Sequence, residues 1–527
     1  MEELKIGDLD QLQSLFAEGT AESEASFLSS IFVAPEDFDY ISNLKSGTPR
    51  LLIGKKGTGK SALVRELVKK WTIESKPALL LKPKDIPLGA DSNASLGELT
   101  AAAEGLLIKA IAAKVGELAN GILDPELALL DAEAQREGTK RPDFVQKLRG
   151  LLNPIAAMFS LDLPSDTGVA HANKARFKAA VARLLQVSGT TMLIALDDTD
   201  QIARGGGAAE LDRIWALILA CRSIQEECPN IVAIIVLRSE VWRRLASEGT
   251  AHRDQVDHFR NSIYELSPGV DDVRTILIER FKAAAENARG PKAPPAESIF
   301  FAEKDVVIPT SVERRTWMDF IVGRSRKRPR DSIQMVALLA EQARRRRKED
   351  KSKINSIDAS KIIERYSEER IDDLQVEFGV ECQKLKEVLR DFAWAEFDED
   401  SFTFTADKAK RFITSILNNK QVILEGQVLR SSNNDHVFSL WRLLYQSGFL
   451  NARVRDESRP GGYAHIQEES NAEFASSNRW NEMQGAYWEV NPAYRDYLLK
   501  VQKDSPIGKR LPPKREKRRV DPRSGRR

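Results

Sequence analysis

The sequence has few of the residues that build disulfides or metal centres. Among its 527 residues are three cysteines and five histidines. No two cysteines have the C-x-x-C spacing of a zinc site, and three cysteines in so long a chain exclude a disulfide framework. No two histidines have an H-x-H or H-x-x-x-H spacing, so we expect them at surface or ordinary structural positions.

Long apolar runs and an excess of either charge are lacking as well. The longest apolar run, IVAIIVL from Ile231, suits a buried strand and is far shorter than the ~18 to 20 residues that cross a bilayer. Lysines and arginines number 80 against 78 aspartates and glutamates, which argues against a globally basic nucleic-acid binder. The first residues lack the basic-then-apolar layout of a secretory signal. We therefore expect a cytoplasmic protein without membrane segments.

The length and the succession of patterns predict about three domains. In the first half, short apolar runs alternate with helical patterns, as in a parallel sheet covered by helices on both faces. The five predicted strands are residues 50–53, 78–81, 192–196, 231–237 and 262–266. Between the second and third strands, an Ala- and Leu-rich stretch predicts a helical insertion at about residues 86–188.

Helical patterns dominate the second half and predict a helical lid over residues 271–375, after a core of residues 1–270. Next come a helix (HVFSLWRLLYQSG), two extended pieces (FLNARVR and GAYWEV) on either side of an excursion, and a last helix (PAYRDYLLK). This order predicts connector helices and a winged helix over residues 376–502. The chain ends with ten Lys or Arg and two acids from residue 505 onward, which predicts a disordered basic tail over residues 503–527.

The most specific motif is G-x-x-x-x-G-K-S, which directly follows the first predicted strand. Its glycines permit a tight turn whose backbone N–H groups, together with the start of the next helix, cradle phosphates. We expect Lys60 to reach the β- and γ-phosphates and the Ser61 hydroxyl to bind Mg²⁺. The nucleotide-binding residues predicted from this motif are Gly54, Lys55, Lys56, Gly57, Thr58, Gly59, Lys60, Ser61 and Ala62.

A second acidic element follows the third predicted strand. Four apolar residues, LIAL, precede Asp197 and Asp198. We predict that Asp197 binds Mg²⁺ through water and that Asp198 polarises the attacking water. Asp200 is interpreted as a cap of the next helix.

Four arginines are candidates for contact with the triphosphate. Arg238 ends the fourth predicted strand, at the sheet edge where ligands collect, and is predicted to sense the γ-phosphate; the alternative is a surface arginine bridging to a helix. Arg330 opens a lid helix and is predicted to close over the nucleotide, or else to begin a solvated basic helix. Arg253 and Arg260 are candidates for an arginine supplied by a neighbouring subunit.

Base preference follows from an absent motif. The sequence has no Asn-Lys-x-Asp, which would specify guanine, so adenine is favoured and ATP with Mg²⁺ is the predicted cofactor pair. The predicted catalytic residues are Lys60, Asp198 and Arg238, and the predicted metal ligands are Ser61 and Asp197.

In its motifs the chain resembles the AAA+ and STAND group of P-loop ATPases, most closely the origin-recognition-like ATPases of bacteria and a family found in mobile or defence-associated loci. The motifs that carry the resemblance are Phe16, Ala21-Glu22-Ser23-Glu24, IGKKGTGKSAL, Asp197-Asp198, LRSEVW, RPRD, LLYQSGFL and Asn491-Pro492-Ala493-Tyr494. It implies an α/β fold: a P-loop NTPase core with a five-stranded parallel sheet, followed by a helical lid and a winged-helix domain. The helical insertion in the core is predicted from the sequence pattern alone, because the resemblance does not extend over it.

The resemblance implies ATP hydrolysis, homo-oligomerisation through the core, and coupling of nucleotide state to DNA or a partner, in anti-phage defence. Asp198 departs from the Glu found in many AAA+ ATPases and is one methylene shorter. Because water positioning is sensitive to about an ångström, slow hydrolysis is expected. The alternative is a nucleotide-gated scaffold that controls a separately encoded effector protein without contacting DNA. A small-molecule kinase is disfavoured because the C-terminal half would have no role.

The predicted winged helix carries both signs of charge. Its candidate DNA-binding residues, besides the basic tail, are Arg442, Arg453, Arg455 and Arg459. Glu468, Glu469 and Glu473 oppose DNA binding in the same region. Trp441, Trp480 and Trp488 are interpreted as packing residues, not as platforms for bases.

Overall fold

In the computed structural model, most of the chain between residues 6 and 505 can be described. The described residues are 6–16, 19–86, 88, 94–118, 175, 178–179, 181–183, 185–186, 189–203, 208–247, 253–309, 313–346, 353–398, 402–458, 462–468 and 471–505. They form two compact units, each described by itself below. The P-loop unit is Met1–Phe300 and Lys327–Ala340, and the C-terminal unit is Phe301–Arg326 and Glu341–Arg527.

A five-stranded parallel sheet forms the centre of the P-loop unit. Its strands are β1 Arg50–Gly54, β2 Ala78–Leu81, β3 Met192–Leu196, β4 Ile231–Arg238 and β5 Ile263–Glu265, in the order β2-β3-β4-β1-β5. Gly54 of β1 pairs with Arg238 of β4, and Leu81 of β2 pairs with Leu196 of β3. The carboxyl ends of β1 to β4 therefore meet at one edge. The five strand predictions and the α/β P-loop NTPase fold are confirmed.

Helices in the described residues run through both units. They are α1 Ile6–Leu15, α2 Leu28–Ile31, α3 Phe38–Ser42, α4 Lys60–Ile73, α5 Leu96–Leu118, α6 Ala208–Glu227, α7 Ser239–Ser247, α8 Arg253–Phe259, α9 Val270–Arg289, α10 Ala296–Phe300, α11 Trp317–Gly323, α12 Pro329–Arg346, α13 Ser356–Phe378, α14 Leu385–Asp391, α15 Ala406–Asn419, α16 Asn434–Gln446, α17 Trp480–Gln484 and α18 Pro492–Asp504. The predicted start of a helix at Arg-Pro-Arg-Asp is confirmed by α12. Of the predicted insertion, α5 is described and residues 119–174 lie outside the described residues.

Alternate residues of each strand pack into different cores. On one face, Ile53, Ile194 and Ile235 pack with residues of α5 and α6. On the other, Leu52 and Ala195 pack with residues of α4. Since both faces are covered, the central strands have almost no polar positions, which is why their sequences are continuous apolar runs.

The segment before β1 packs on α9 within the P-loop unit. Phe16 lies 4.9 Å from Phe281, measured between ring centroids. Arg280 donates a hydrogen bond of 2.6 Å to the carbonyl oxygen of Leu15 and also pairs with Glu24, with both side chains about 5% exposed. These contacts fix the residues that precede the P-loop strand.

The C-terminal unit contains several short antiparallel pairings. Its strands are β6 Asp305–Val307, β7 Arg314–Thr316, β8 Thr403–Thr405, β9 Ile423–Leu424, β10 Gln427–Val428, β11 Leu450–Arg455, β12 Tyr463–Ile466 and β13 Tyr487–Val490. The four-stranded sheet has the order β12-β11-β13-β8, and β6 pairs with β7. Asn433 caps α16 and Asn491 caps α18, each accepting a hydrogen bond from a backbone N–H two residues on.

Three expectations for this half were wrong in detail. The β6–β7 pair was not predicted and interrupts a stretch in which helical patterns dominate; its strands are only three residues long, and one of them reads Arg-Arg-Thr. The predicted excursion contains strand β12, which pairs with β11. Helix α18 continues to Asp504, so the helix extends two residues into the segment predicted as tail; residues 506–527 lie outside the described residues.

The core of the C-terminal unit is rich in aromatic residues. Trp441 and Trp488 are fully buried, 4.6 Å apart between ring centroids, and Trp480 packs partly buried beside Trp441. Their interpretation as packing residues is confirmed. Throughout the described residues of both units, every helix is too short or too polar to cross a membrane.

Candidate nucleotide-binding site

The turn between β1 and α4 has the backbone that its glycines predict. Gly57 and Gly59 have φ angles of +83° and +100°, in the region that favours glycine. A Cβ at Gly54 would lie 2.7 Å from the carbonyl oxygen of Leu266, which is too close for any side chain. The loop therefore requires glycine at these three positions.

Lys60 is buried at the start of α4. Its ammonium donates hydrogen bonds of 2.6 Å to the carbonyl oxygen of Gly54 and 2.8 Å to that of Lys55. Burial lowers the pKa of Lys60 to about 8, although the nearby carboxylates of Glu240 and Asp200 act in the opposite direction. Because burial removes this ammonium from water, an anion that binds beside it stabilises its charged form.

Asp197 lies at the end of β3, fully buried, and meets the P-loop. Its Oδ1 accepts hydrogen bonds from the Ser61 hydroxyl, at 3.0 Å, and from the backbone N–H of Asp198, at 2.9 Å. Its Oδ2 is buried and has no hydrogen-bond partner among the described residues. Burial, with a further contribution from the charge of Asp198, raises the pKa of Asp197 to about 6. A buried oxygen without a partner fits a hard cation such as Mg²⁺, which takes oxygen ligands.

Asp198 is held by a chain of charges. Its backbone has a φ of +57°, and its Oδ2 lies 2.7 Å from the ammonium of Lys82, the residue after β2. The same ammonium lies 2.7 Å from Glu22, which also pairs with Arg65 of α4 at 3.1 Å. Burial raises the pKa of Glu22, but hydrogen bonds from Lys82 and Arg65 outweigh it and bring this pKa to about 2.

The structure thus adds Glu22 and Lys82 to the residues predicted for the site. Carboxylate oxygens of Glu22, Asp197 and Asp198 lie within 4.8 Å of one another. Lys82 could have been found in the sequence, because it follows a predicted strand whose carboxyl end shares the edge with Asp197. Glu22 belongs to the acidic segment Ala21-Glu22-Ser23-Glu24 that contributes to the family resemblance, but that segment has no strand or ligand spacing that would have placed Glu22 in the site.

Arg238 and Arg330 both line the same cavity. Arg238 pairs with Asp200 through Nε at 2.8 Å, so Asp200 is the partner of an arginine in addition to lying in the first turn of a short 3-10 helix. Arg330 is next to the P-loop: its backbone N–H donates to the carbonyl oxygen of Gly57 at 3.3 Å, and its buried Nε has no hydrogen-bond partner among the described residues.

The two candidates for an arginine from a neighbouring subunit are not in this cavity lining. Arg260 is 78% exposed on its side chain and pairs with Asp257 at 2.7 Å. Arg253 begins α8, and its side chain lies outside the described residues.

The cavity has a volume of about 520 Å³, within the range of about 300 to 1,000 Å³ usual for small-molecule sites. Its lining includes polar groups, among them residues of the P-loop, Asp197 and Asp198. The lining also includes the apolar residues Leu28, Ile31 and Phe32 from the segment before β1. A cavity with both charged and apolar lining residues suits a ligand that carries phosphates and a flat ring system.

The candidate DNA-binding arginines of the C-terminal unit differ in their surroundings. Arg442 pairs with Glu473 at 3.3 Å, and Arg453 pairs with Glu489 at 3.2 Å. Arg455 is exposed on β11. Arg459 and Glu469 lie outside the described residues. At least two of the four positive charges are therefore compensated within the chain.

Sheet order and P-loop together define a P-loop NTPase fold. Residues 271–375 match the family described as the FunZ-associated C-terminal helical domain. This range has the bounds predicted for the lid, while the division into domains stays a prediction. No curated protein matches the sequence.

Three archaeal structures are similar over most of the chain. The structure of the Aeropyrum pernix ORC2 protein in ADPNP-ADP complexes is 11% identical with a TM-score of 0.40, over 93% of this chain and 97% of that one. The A. pernix ORC1 protein in complex with DNA is 13% identical with a TM-score of 0.31, over 91% and 95%. Cdc6p from Pyrobaculum aerophilum is 12% identical with a TM-score of 0.29, over 90% and 98%. Likeness at these scores carries no functional argument, so the site is interpreted from its own geometry.

Proposed function

We propose that this chain is an ATPase of the AAA+/STAND type, which binds and hydrolyses ATP with Mg²⁺ and couples its nucleotide state to oligomerisation and to DNA or a partner protein. The observation that carries the proposal is the contact of Ser61 with Asp197 across 136 residues of sequence. It joins the phosphate-binding turn to a buried carboxylate that has one oxygen without a partner.

Binding of the triphosphate would exchange contacts that the P-loop now makes with itself. Lys60 would give up its carbonyl partners, Gly54 and Lys55, for β- and γ-phosphate oxygens. The start of α4 adds the positive end of its dipole. Arg330 and Arg238 would approach the phosphates from the cavity wall, and the apolar lining residues would hold the adenine.

The residues that would hold Mg²⁺ are Ser61, through its hydroxyl, and Asp197, directly or through water. The ion would neutralise charge that develops on the phosphates. Asp198 would orient the attacking water, but its carboxylate is paired with Lys82 at 2.7 Å. Slow hydrolysis follows, because the Lys82 ammonium holds this carboxylate and makes it a weaker hydrogen-bond acceptor for the attacking water.

Substitution of Lys60 tests the site. Lys60→Ala is expected to weaken Mg·ATP binding at least about 100-fold, which is about 2.7 kcal/mol, in isothermal titration calorimetry. Lys69→Ala, on the exposed face of the same helix, is the matched control and should leave the affinity within about twofold. Equal affinity of the wild type and Lys60→Ala would refute the assignment.

Coupling to DNA is supported by the exposed Arg455 and by the basic composition after residue 505. We expect duplex DNA to stimulate ATP hydrolysis at low salt, with the stimulation lost at high salt because counterion release drives such contacts. A variant ending at Ser505, just beyond α18, should lose most of the stimulation. Hydrolysis indifferent to DNA at both salt concentrations would contradict this part of the proposal.

A nucleotide-gated scaffold controlling a separate effector is the second candidate. It is favoured by two observations: Arg442 and Arg453 are paired with acids of the same unit, and Asp198 is paired with Lys82. Its signature is ATP-dependent self-association, seen in sedimentation velocity, with little turnover and no DNA effect. A role in anti-phage defence rests on the sequence resemblance and is tested by phage challenge of cells carrying the wild type or Lys60→Ala.

A further inference from the structure

Glu22 is an acid in the nucleotide cavity that the proposed mechanism does not use. It comes from the segment before β1, yet its carboxylate lies within 4.8 Å of those of Asp197 and Asp198. Its partners are two cations: Lys82, at 2.7 Å, and Arg65, at 3.1 Å. Paired with two cations, the Glu22 carboxylate is negatively charged. It lines the same cavity as the carboxylates of Asp197 and Asp198.

The backbone around Glu22 is held in place. Two residues further on, Glu24 accepts hydrogen bonds from both terminal nitrogens of Arg280, at 2.9 and 2.5 Å, and both side chains are about 5% exposed. The Thr20 and Ser23 hydroxyls also contact each other, at 2.7 Å. Glu22 is therefore presented to the cavity from a fixed turn, which makes its position a property of the fold.

A second observation, on Asp197, indicates that this cluster binds a cation. Asp197 is 0% exposed, lines the cavity, and its Oδ2 is without a hydrogen-bond partner among the described residues. Leaving a buried carboxylate oxygen without a donor is costly unless a cation completes it. The residue that carries this oxygen, Asp197, belongs to the same cluster as Glu22.

Charge balance indicates how the cluster works. Three carboxylates this close repel one another unless cations stand between them. Lys82 now lies between two of them, 2.7 Å from both Glu22 and Asp198. Mg²⁺ retains several waters and binds through one or two carboxylates plus substrate phosphates, so oxygens within 4.8 Å of one another suit a mixture of direct and water-mediated contacts.

We propose that Glu22 is a second carboxylate of the Mg²⁺ site besides Asp197, binding a water of the ion's hydration shell, and that the ion displaces the Lys82 ammonium from between Glu22 and Asp198. The inference rests on the proposed function, because it concerns the ion that accompanies ATP. It makes the segment before β1 part of the metal site.

The test separates metal binding from a structural role. Fluorescent ATP is titrated into the wild type, Glu22→Gln and Glu74→Gln, once with Mg²⁺ and once with EDTA. Glu74, an exposed acid paired with Lys76 at the end of α4, is the matched control. With Mg²⁺, Glu22→Gln should bind about 5- to 10-fold more weakly, about 1 to 1.4 kcal/mol. With EDTA it should bind equally or more tightly, because one negative charge near the triphosphate is gone.

Each other result is decisive. Equal weakening of Glu22→Gln with and without metal means a structural role and overturns the inference, as does no change in either condition. A wild type that binds Mg·ATP while Glu22→Gln shows no metal-specific loss contradicts this inference alone. A wild type that binds no ATP overturns the proposed function as well.

Lys82→Gln tests the displacement directly. Removing the competing ammonium should tighten Mn²⁺ binding to the nucleotide-free protein about 5-fold or more, as measured by electron paramagnetic resonance of the free ion. Glu22→Gln should weaken the same binding, so the two variants move in opposite directions. Unchanged or weaker Mn²⁺ binding in Lys82→Gln would show that the ion does not take the place of Lys82.

Discussion

Two buried carboxylates, one in each unit, differ in how their charge is compensated. Asp197 in the P-loop unit receives hydrogen bonds from a hydroxyl and a backbone N–H, and its pKa is raised to about 6. Glu489 in the C-terminal unit lies 2.7 Å from His465, 3.2 Å from Arg453 and 3.1 Å from Arg495. Burial raises the pKa of Glu489, but the hydrogen bond from His465 and the charges of Arg495 and Arg453 lower it below its ordinary value.

Burial alone therefore does not distinguish a functional carboxylate from a structural one. Glu489 is 6% exposed and Asp197 is 0% exposed. Glu489 has three basic side chains as partners, whereas Oδ2 of Asp197 has no hydrogen-bond partner in the part of the chain that the structure describes. An incompletely compensated charge in a cavity is the physical mark of a binding site, whereas a carboxylate surrounded by cations holds strands together.

The largest expected effect is the loss of stabilisation by ligand in Asp197→Asn. Mg·ATP at about 1,000 times its dissociation constant should stabilise the wild-type P-loop unit by about 4.1 kcal/mol. Asn keeps an oxygen for Ser61 but not the charge that a cation needs, so Asp197→Asn should lose this stabilisation with Mg²⁺. Hydrogen exchange of the β1 and β3 amides measures it for this unit alone. Full protection of the variant by Mg·ATP would show that Asp197 is not a metal ligand.

Next is a dependence on pH with opposite signs at the two carboxylates. Folding raises the pKa of Asp197 from 3.8 to about 6, so the carboxyl group holds its proton more tightly in the folded unit than in the unfolded chain. The free energy of unfolding of the P-loop unit therefore falls as the pH rises from about 4 to 6, by about 3 kcal/mol in total. For Glu489 the pKa is lowered, so its contribution is present above its ordinary pKa of 4.5 and lost as pH falls through the folded value.

Mg²⁺ and Asp197→Asn are the checks on this dependence. Saturating Mg·ATP should remove the fall in stability between pH 4 and 6, because the ion keeps the carboxylate ionised. Asp197→Asn should remove the same slope without ligand. A slope that persists in the variant would belong to another group.

A smaller effect is expected from Glu489→Gln. The substitution leaves Arg453, Arg495 and His465 without their shared anion, which destabilises a fully buried cluster by about 3 to 5 kcal/mol. Since these partners are 21 to 44% exposed, water compensates in part, and about 2 kcal/mol is expected. Hydrogen exchange of β11 and β13 should increase while that of β1 stays unchanged. Faster exchange in both units would contradict a purely local role.

The comparison also shows why some features were predictable from the sequence. Strands such as Ile231–Arg238 are buried on both faces and are therefore continuous apolar runs, and the P-loop is a local motif whose turn is determined by its glycines. Such features depend on neighbouring residues.

Pairings across the fold could not be predicted in this way. Lys82 and Asp198 are 116 residues apart, and Glu22 and Lys82 are 60 apart. The short strands of the C-terminal unit escaped because their residues are partly polar, as in Arg314–Thr316, and their pairing depends on the tertiary structure. The compensation of Asp197 and Glu489 likewise depends on which distant side chains reach them.

The smallest expected effect concerns protons at Lys60. Burial lowers the pKa of Lys60 to about 8, so part of its population is neutral just above that pH. Phosphate oxygens stabilise the charged form, and ATP binding should therefore take up a fraction of a proton between pH 8 and 9. Calorimetric titrations in buffers of different ionisation enthalpy measure this uptake. Lys60→Arg, whose guanidinium stays charged, should show none, and equal uptake in both proteins would assign the proton to a different group.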